Sequence, residues 1–361
     1  MTEIFSYYLP QFHSIPENDR WWGAGFTEWT NVKKAKPLFH GHKQPIIPGE
    51  LGYYSLDTTE ILRRQALLAN QYGVDGFVFY HYWFGSGKYL LDKPLLNFLA
   101  DPTIDIQICI CWANESWRGT WHGAAKDQML QEQKYLGIED YKKHFEFLLP
   151  FFQDSRCLRI EGMPVYQIYV PESIPDLAVY ISTFNGLATE NGLPGIYWIG
   201  VKASSGFDPQ SFGIQGMVNG NLANINRYHF RSFSGFFNRI VLSNPVVRKL
   251  FKWPKRIAYG IVRACLEDFS TSYSYDFFPL AIPNWDNTPR VKHEGTVYTG
   301  ASPSSFGKHL LACIQRAKKN SPGKKLVFIK SWNEWAEGNI LEPSQEYGRG
   351  YLEALKSVVD G

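Results

Sequence analysis

Eight short runs of β-branched and aromatic residues recur along the chain. They lie at 4–9 (IFSYYL), 74–83 (VDGFVFYHYW), 106–114 (IQICICWAN), 164–170 (PVYQIYV), 195–201 (GIYWIGV), 216–220 (GMVNG), 278–285 (FPLAIPNW) and 325–332 (KLVFIKSW). Amphipathic helical patterns fall between several of them, at 58–73, 138–154, 176–192 and 304–320, and a last one at 347–361 follows the eighth run. Near-continuous apolar strands alternating with helices indicate a parallel sheet covered on its outer face. Eight such units favour a closed (β/α)8 TIM barrel over an open doubly wound sheet. No glycine-rich phosphate loop follows the first run, which weighs against a dinucleotide-binding fold. We therefore expect one α/β barrel spanning 1–361, with irregular regions at about 9–57 and 203–275 as enlarged βα loops. Active sites of such barrels sit on the rim formed by the carboxyl ends of the strands.

That rim carries unusual chemistry. The first strand runs into Tyr8, Gln11 and His13; the second ends at His81, Tyr82 and Trp83; the third at Trp112, Asn114, Glu115 and Trp117. The fourth closes on Tyr169, the seventh on Trp285, Asp286 and Asn287, and the eighth on SWNEWAEG, with Trp332, Asn333, Glu334, Trp335 and Glu337. Tryptophan and tyrosine offer flat, amphipathic faces suited to sugar rings. Asparagine and histidine offer neutral hydrogen bonds to hydroxyls. Glycosidic cleavage uses two carboxyl groups, one protonated and one ionised. An apolar neighbour raises a carboxyl pKa and favours the acid form. Glu334 and Glu337, three apart among indoles, are the first candidates for that pair. The plain alternative has them capping the next turn or pairing with Arg349. A second pairing sets Glu115, on the Asn-Glu after the third strand, against Glu334. Glu342 reads as structural. We assign Tyr8, Gln11, His13, His81, Trp83, Trp112, Asn114, Glu115, Tyr169, Trp285, Asp286, Trp332, Asn333 and Trp335 to substrate binding.

The remaining composition narrows the field. A net charge of +3 is too mild to imply a nucleic-acid partner. Aromatic residues make up 16% of the chain, with 12 Trp and 21 Tyr, which suits a glycan-binding surface. Five cysteines at 109, 111, 157, 265 and 313 form no zinc-finger spacing and read as reduced, buried thiols. His40, His42, His81 and His122 form no recognised ligand set, so neither a metal nor another cofactor is expected. The amino terminus lacks signal-peptide character and no run reaches the ~20 apolar residues of a membrane span, so a cytoplasmic location is expected. A basic stretch of Arg248, Lys249, Lys252, Lys255 and Arg256 reads as a solvated helix face. Its alternative is a weak contact with anionic lipid or a lipid-linked glycan. Oligomeric state is not encoded legibly.

Five motifs, YYLPQFHSIPENDRWWGAGFTEWTNV (7–32), GFVFYHYWF (76–84), ICWANESW (110–117), PNWDNTPR (283–290) and SWNEWAEGNILEP (331–343), resemble the WbsX family of polysaccharide-biosynthesis glycosyltransferases over nearly the whole chain. That family is in turn similar to family 99 glycoside hydrolases, which act on internal α-mannosidic linkages. The resemblance implies that Glu334 is a base on the sugar's own 2-hydroxyl, giving a 1,2-anhydro sugar. It implies that Glu337 protonates the departing oxygen and then deprotonates water or an alcohol. Ala336 stands where the hydrolases often carry histidine. The expected function is thus glycosyl transfer at an anomeric carbon, with a retaining, family 99-like hydrolase reaction first. A glycosyltransferase of lipopolysaccharide, O-antigen or capsule assembly is the alternative among enzymes, although no DxD motif is present. A non-catalytic carbohydrate-binding barrel is the alternative from another class.

Overall fold

The computed structural model describes residues 1–119, 128–219, 246 and 252–361. Among them, eight parallel strands form the sheet around which the molecule is built: β1 (Glu3–Tyr8), β2 (Gly76–Trp83), β3 (Gln107–Trp112), β4 (Met163–Ile168), β5 (Tyr197–Gly200), β6 (Gly216–Val218), β7 (Asp276–Phe278, resuming as Leu280–Ala281) and β8 (Leu326–Ile329). Each strand pairs in parallel with the next, and β1 pairs with β8, for example Phe5 with Phe328. The ring closes at β7, whose first half pairs with β6 and whose second half pairs with β8. Pro279 separates the halves because it has no N–H for the ladder. Its carbonyl still accepts from the Phe328 N–H at 3.0 Å. The expected closed barrel is therefore observed.

Among the described residues, helices that clad the outside include α1 (Thr59–Gln71), α2 (Lys93–Ala100), α3 (Ile138–Gln153), α4 (Leu177–Glu190), α5 (Pro303–Ala317) and α6 (Gly350–Val359). The short helix α2 was not expected from periodicity, since eight residues carry too few turns to show it. Ser302 caps α5 by accepting from the Ser305 N–H, and proline opens the helix. All five cysteines are buried free thiols, as expected. No helix among the described residues is long and apolar enough to cross a membrane.

Both faces of the strands are aromatic, and alternation decides which rings enter the barrel. Tyr7 points inward, stacks on Tyr80 at 5.4 Å and donates its hydroxyl to Gln167 Oε1 at 2.7 Å. Tyr8 points outward and donates to Gln65 Oε1 on α1 at 2.7 Å. Gly76 opens β2 where the interior is already filled, because a Cβ there would lie 2.1 Å from the Phe5 ring. Gly76→Ala therefore overpacks the barrel floor and should cost about 1–3 kcal/mol. Urea denaturation measures this, and an unchanged midpoint would mean that Phe5 does not fill the space.

Candidate active site

The carboxyl ends of β1, β2, β3, β4, β7 and β8 surround a cavity of about 230 Å³, smaller than the ~300 Å³ at which drug-sized sites begin. Gln11, Tyr80, Tyr82, Glu115, Trp117, Tyr169, Trp285, Asn287, Arg290, Lys330, Glu334 and Glu337 line it, with Leu9, Ala113 and Val291. Gln11, Glu115, Tyr169, Trp285, Glu334 and Glu337 from the sequence reading thus meet in one place.

The two glutamates sit on a tight hairpin rather than on an α-helical turn. Asn333–Glu334 pairs antiparallel with Asn339–Ile340, and Trp335–Glu337 forms one 3-10 turn between them. Gly338 ends that turn at φ 59°, and a Cβ there would lie 3.0 Å from the Asp286 Cβ. Close backbone approach and a left-handed conformation both favour glycine here. Glu334 and Glu337 line the same cavity, and each carboxyl influences the other's ionisation. They do not pair with Arg349, which bonds Glu50 instead at 2.6 Å.

Arg290, delivered by the loop after β7, donates to Glu337 at 2.5 Å and to the fully buried Glu28 at 2.5 and 2.9 Å. Lys330, at the end of β8, lies 3.4 Å from Glu334 and 3.2 Å from the Tyr80 hydroxyl. Burial pushes the Glu334 carboxyl up to about 8, against the opposing pull of Lys330. Burial also works against ionisation of Glu337, but Arg290, Glu334 and Lys330 outweigh it, and its pKa falls below the usual range. Burial thus makes Glu334 the harder of the two to ionise, and Arg290 makes Glu337 the easier. Burial raises the Tyr169 phenol to about 12, so it is a neutral hydroxyl at the cavity wall.

Glu115 lines the same cavity but is 39% exposed and pairs with Lys202 at 3.5 Å. Its screened, wet position suits a mouth residue more than a partner for Glu334.

Ten residues assigned to the substrate lie elsewhere, and the structure corrects them. Tyr8, His81, Trp83 and Trp112 occupy the outward parity of their strands. His81 contacts His144 on α3 at 3.0 Å and stacks on Phe147, and burial drops its pKa to about 3. Trp83 stacks on His144 at 4.7 Å, and Trp112 stacks on Tyr180 of α4 at 5.2 Å. His13 is buried against the Pro10 carbonyl at 3.1 Å. Asn114 and Asn333 tie neighbouring strand ends together. Asn114 exchanges two 2.8 Å bonds with the Val170 backbone, and Asn333 exchanges bonds of 2.7 and 3.0 Å with Leu9. Asp286 accepts from His42 and Gln44 at 2.7 Å each and from Thr288, which secures the loop carrying Arg290.

Trp332 and Trp335 answer to Glu342. Their indole N–H groups donate to its carboxylate at 3.0 and 2.6 Å, joined by Gln65 at 2.6 Å and the Tyr54 hydroxyl at 2.9 Å. Four donors and no cation hold this buried carboxylate, and burial lifts it to about 7. Glu342 is thus structural, as expected, and it is the reason for the two tryptophans.

Sequence reasoning missed Tyr80, Arg290 and Lys330, and it placed Tyr82 at the rim without assigning it to substrate. The two tyrosines alternate with the chosen His81 and Trp83, so choosing one parity set the other aside. Arg290 stands inside the quoted motif PNWDNTPR, and only its approach to Glu28 and Glu337 reveals its role. Of the histidines weighed as ligands, His122 lies outside the described residues. Among those described, no three His, Cys, Asp or Glu side chains converge as a metal site would require.

Glu334 and Glu342 keep protons in the folded chain at pH values where an unfolded glutamate, with a pKa of about 4.3, has lost them. Through these two groups the folded state binds more protons than the unfolded one, a contribution that falls as pH rises from about 5 to about 8, whereas the buried rings of His13, His81, His144 and His309 resist protonation and contribute stability that grows as pH rises through about 6.5. Glu337 acts in the opposite sense, but its contribution is lost only in more acid solution. The thermal midpoint of Glu334→Gln, measured relative to the unmodified chain, should rise between pH 5.5 and pH 8, because the variant lacks the Glu334 contribution while the histidines act equally in both. A difference that stays constant across this window would contradict the assignment.

A family model described as Glycosyltransferase WbsX matches residues 4–355. Two proteins of Xanthomonas campestris pv. campestris, strains B100 and ATCC 33913, each described as uncharacterized protein WxcX, are 34% identical over 360 residues. These matches cover 99% of this chain but 49% of the relatives, so the chain spans about half their length. A GH99 endo-alpha-mannosidase from Bacteroides thetaiotaomicron, in complex with bis-tris-propane, is similar at a TM-score of 0.61 and 15% identity, over 99% of this chain and 96% of that one. A glycoside hydrolase-like protein is similar at a TM-score of 0.57 and 14% identity, over 99% and 93% of the two chains. These likenesses concern the fold. By motif, by full-length match and by relatives a third identical, the chain belongs to the glycosyltransferase WbsX family.

Proposed function

We propose that the chain catalyses glycosyl transfer at an anomeric carbon, with Glu334 and Glu337 as its acid–base couple and water or a sugar hydroxyl as acceptor. The single observation carrying this reading is that two carboxyls, Glu334 and Glu337, meet in one cavity at the mouth of the barrel, each beside its own cation, Lys330 and Arg290. Acid–base catalysis at a glycosidic oxygen needs one donor and one acceptor at once. The family resemblance favours a route in which the substrate supplies its own nucleophile.

In that route Glu334 takes the proton of the 2-hydroxyl, and O2 attacks C1. The C1–O bond to the leaving group breaks as Glu337 donates its proton to that oxygen, leaving a 1,2-anhydro sugar. Glu337, now ionised, takes a proton from water or an acceptor hydroxyl, which attacks C1. The C1–O2 bond opens and O2 recovers its proton from Glu334, with net retention. An α-mannoside-type substrate is the first choice, in keeping with the family resemblance.

Burial makes Glu334 the harder of the two to ionise, the reverse of what this route starts from, so a proton passes from Glu334 to Glu337 before its first step. Arg290 keeps Glu28 as counter-ion when Glu337 becomes neutral. A second reading exchanges the roles, with Glu334 as proton donor, and the Arg290–Glu337 contact favours it.

Glu334→Gln and Glu337→Gln should each lower turnover of an accepted glycan by about 10²–10⁴-fold while the protein stays folded. Unchanged turnover in both would end the proposal. Aryl glycosides with good leaving groups separate the two readings, because they need no proton donor. The variant they rescue identifies the acid, rescue of Glu337→Gln supporting the first reading and rescue of Glu334→Gln the second. The alkaline limb of kcat/KM should fall near pH 8, where the pair loses its proton. A limb that stays flat to pH 10 would exclude a shared catalytic proton.

A further inference from the structure

Beside the cavity lies a second, larger groove of about 890 Å³, and Arg290 lines both. Its walls come from three distant segments: the Glu28–Lys34 helix and the residues after it, Lys252, and the loop after β7. Lys33, Lys34, Lys36, Lys252 and Lys292 converge on it with His293, and no carboxylate stands among its lining residues. Trp22 and Phe26 add an apolar end.

Surface lysines are ordinarily just solvated. Lys33 and Lys34 also have a local reason, because cations suit the last turn of a helix. Lys33 further lies over the Tyr53 ring at 4.4 Å. Lys292 has the same reason, as the residue that ends the short Thr288–Val291 helix, but the reason does not extend to Lys36 and Lys252, which face the same space. Among the described residues, Lys34, Lys36, Lys252 and Lys292 form no ion pair. The basic stretch of the sequence therefore divides. Arg256 stacks over Phe39 at 4.7 Å and Trp253 at 5.5 Å, Lys252 joins the groove, and Arg248 and Lys249 lie outside the described residues.

We propose that this groove binds a phosphate or pyrophosphate group carried by the glycan substrate next to the reacting sugar. Five lysines with no carboxylate among them match a multiply charged anion better than a single carboxylate. Mutual repulsion of ammonium groups held in one groove is relieved by such an anion. The wall shared through Arg290 places the group beside the carboxyl pair. The inference rests on reading the cavity as the site of glycosyl transfer. Anion binding is nevertheless measured without turnover, so it can fail or hold by itself.

The test is calorimetric titration of the full chain with inorganic pyrophosphate at low salt. Saturable binding that weakens with added NaCl is expected. The triple variant Lys34→Gln/Lys36→Gln/Lys292→Gln should bind roughly tenfold or more weakly. The control Lys318→Gln/Lys319→Gln, exposed at the far end of α5, should bind as the unmodified chain does. Absence of binding, equal binding by the triple variant, or equal loss in the control would overturn the proposal. Competition then identifies the carrier. Displacement by a nucleoside diphosphate supports a nucleotide-linked donor, and displacement by a short-chain polyprenyl pyrophosphate supports a lipid-linked glycan. Displacement by neither removes the link to a substrate. Loss of turnover in Glu334→Gln with pyrophosphate binding intact separates this groove from the catalytic reading.

Discussion

Arg290 is the cation around which the carboxyl end of the barrel is organised. It reaches Glu28 from the first loop and Glu337 from the last, and so joins three segments that are remote in sequence. With Lys330 it sets two largely enclosed positive charges against three carboxyls, the buried Glu28 and Glu334 and the partly buried Glu337. Charges withdrawn from water are tolerated when they are paired and bonded. Two cations face three carboxyls, and burial raises the pKa of Glu28 and Glu334 while Arg290 lowers that of Glu337.

A second arrangement supports the first. Glu342 gathers the indoles of Trp332 and Trp335, the Tyr54 hydroxyl and Gln65 around one carboxylate. Asn333 ties the same hairpin to the end of β1. Trp29 of the first loop packs on Trp335 at 5.3 Å and donates its N–H to the Tyr54 carbonyl at 2.7 Å. The tryptophans of the motif are therefore rigid supports for the glutamates rather than a surface for sugar. Platforms inside the cavity come instead from Tyr80, Tyr82, Trp117, Tyr169 and Trp285.

Several roles changed hands for one physical reason. A strand of an α/β barrel is buried on both faces, so its sequence has no polar side to mark the exterior. In GFVFYHYW the residues Phe77, Phe79, His81 and Trp83 alternate with Val78, Tyr80 and Tyr82, and each set is rich in rings. His81 drew attention as the more polar residue, yet its partner is the equally buried His144 on α3. Asn114 and Asn333 are polar at strand ends because the last backbone groups of neighbouring strands need partners there.

From its sequence alone the chain was legible as an eight-stranded barrel of alternating strands and helices, with Glu334 and Glu337 on the last strand's loop. Apolar runs of strand length and helical periodicity are local properties, and they survive without any knowledge of the partner. Tertiary structure alone decided which parity of each strand enters the barrel, and that Arg290 and Lys330 neutralise the site. Those outcomes depend on contacts between residues as far apart as Glu28 and Arg290, and such contacts exist only once the sheet has closed on itself.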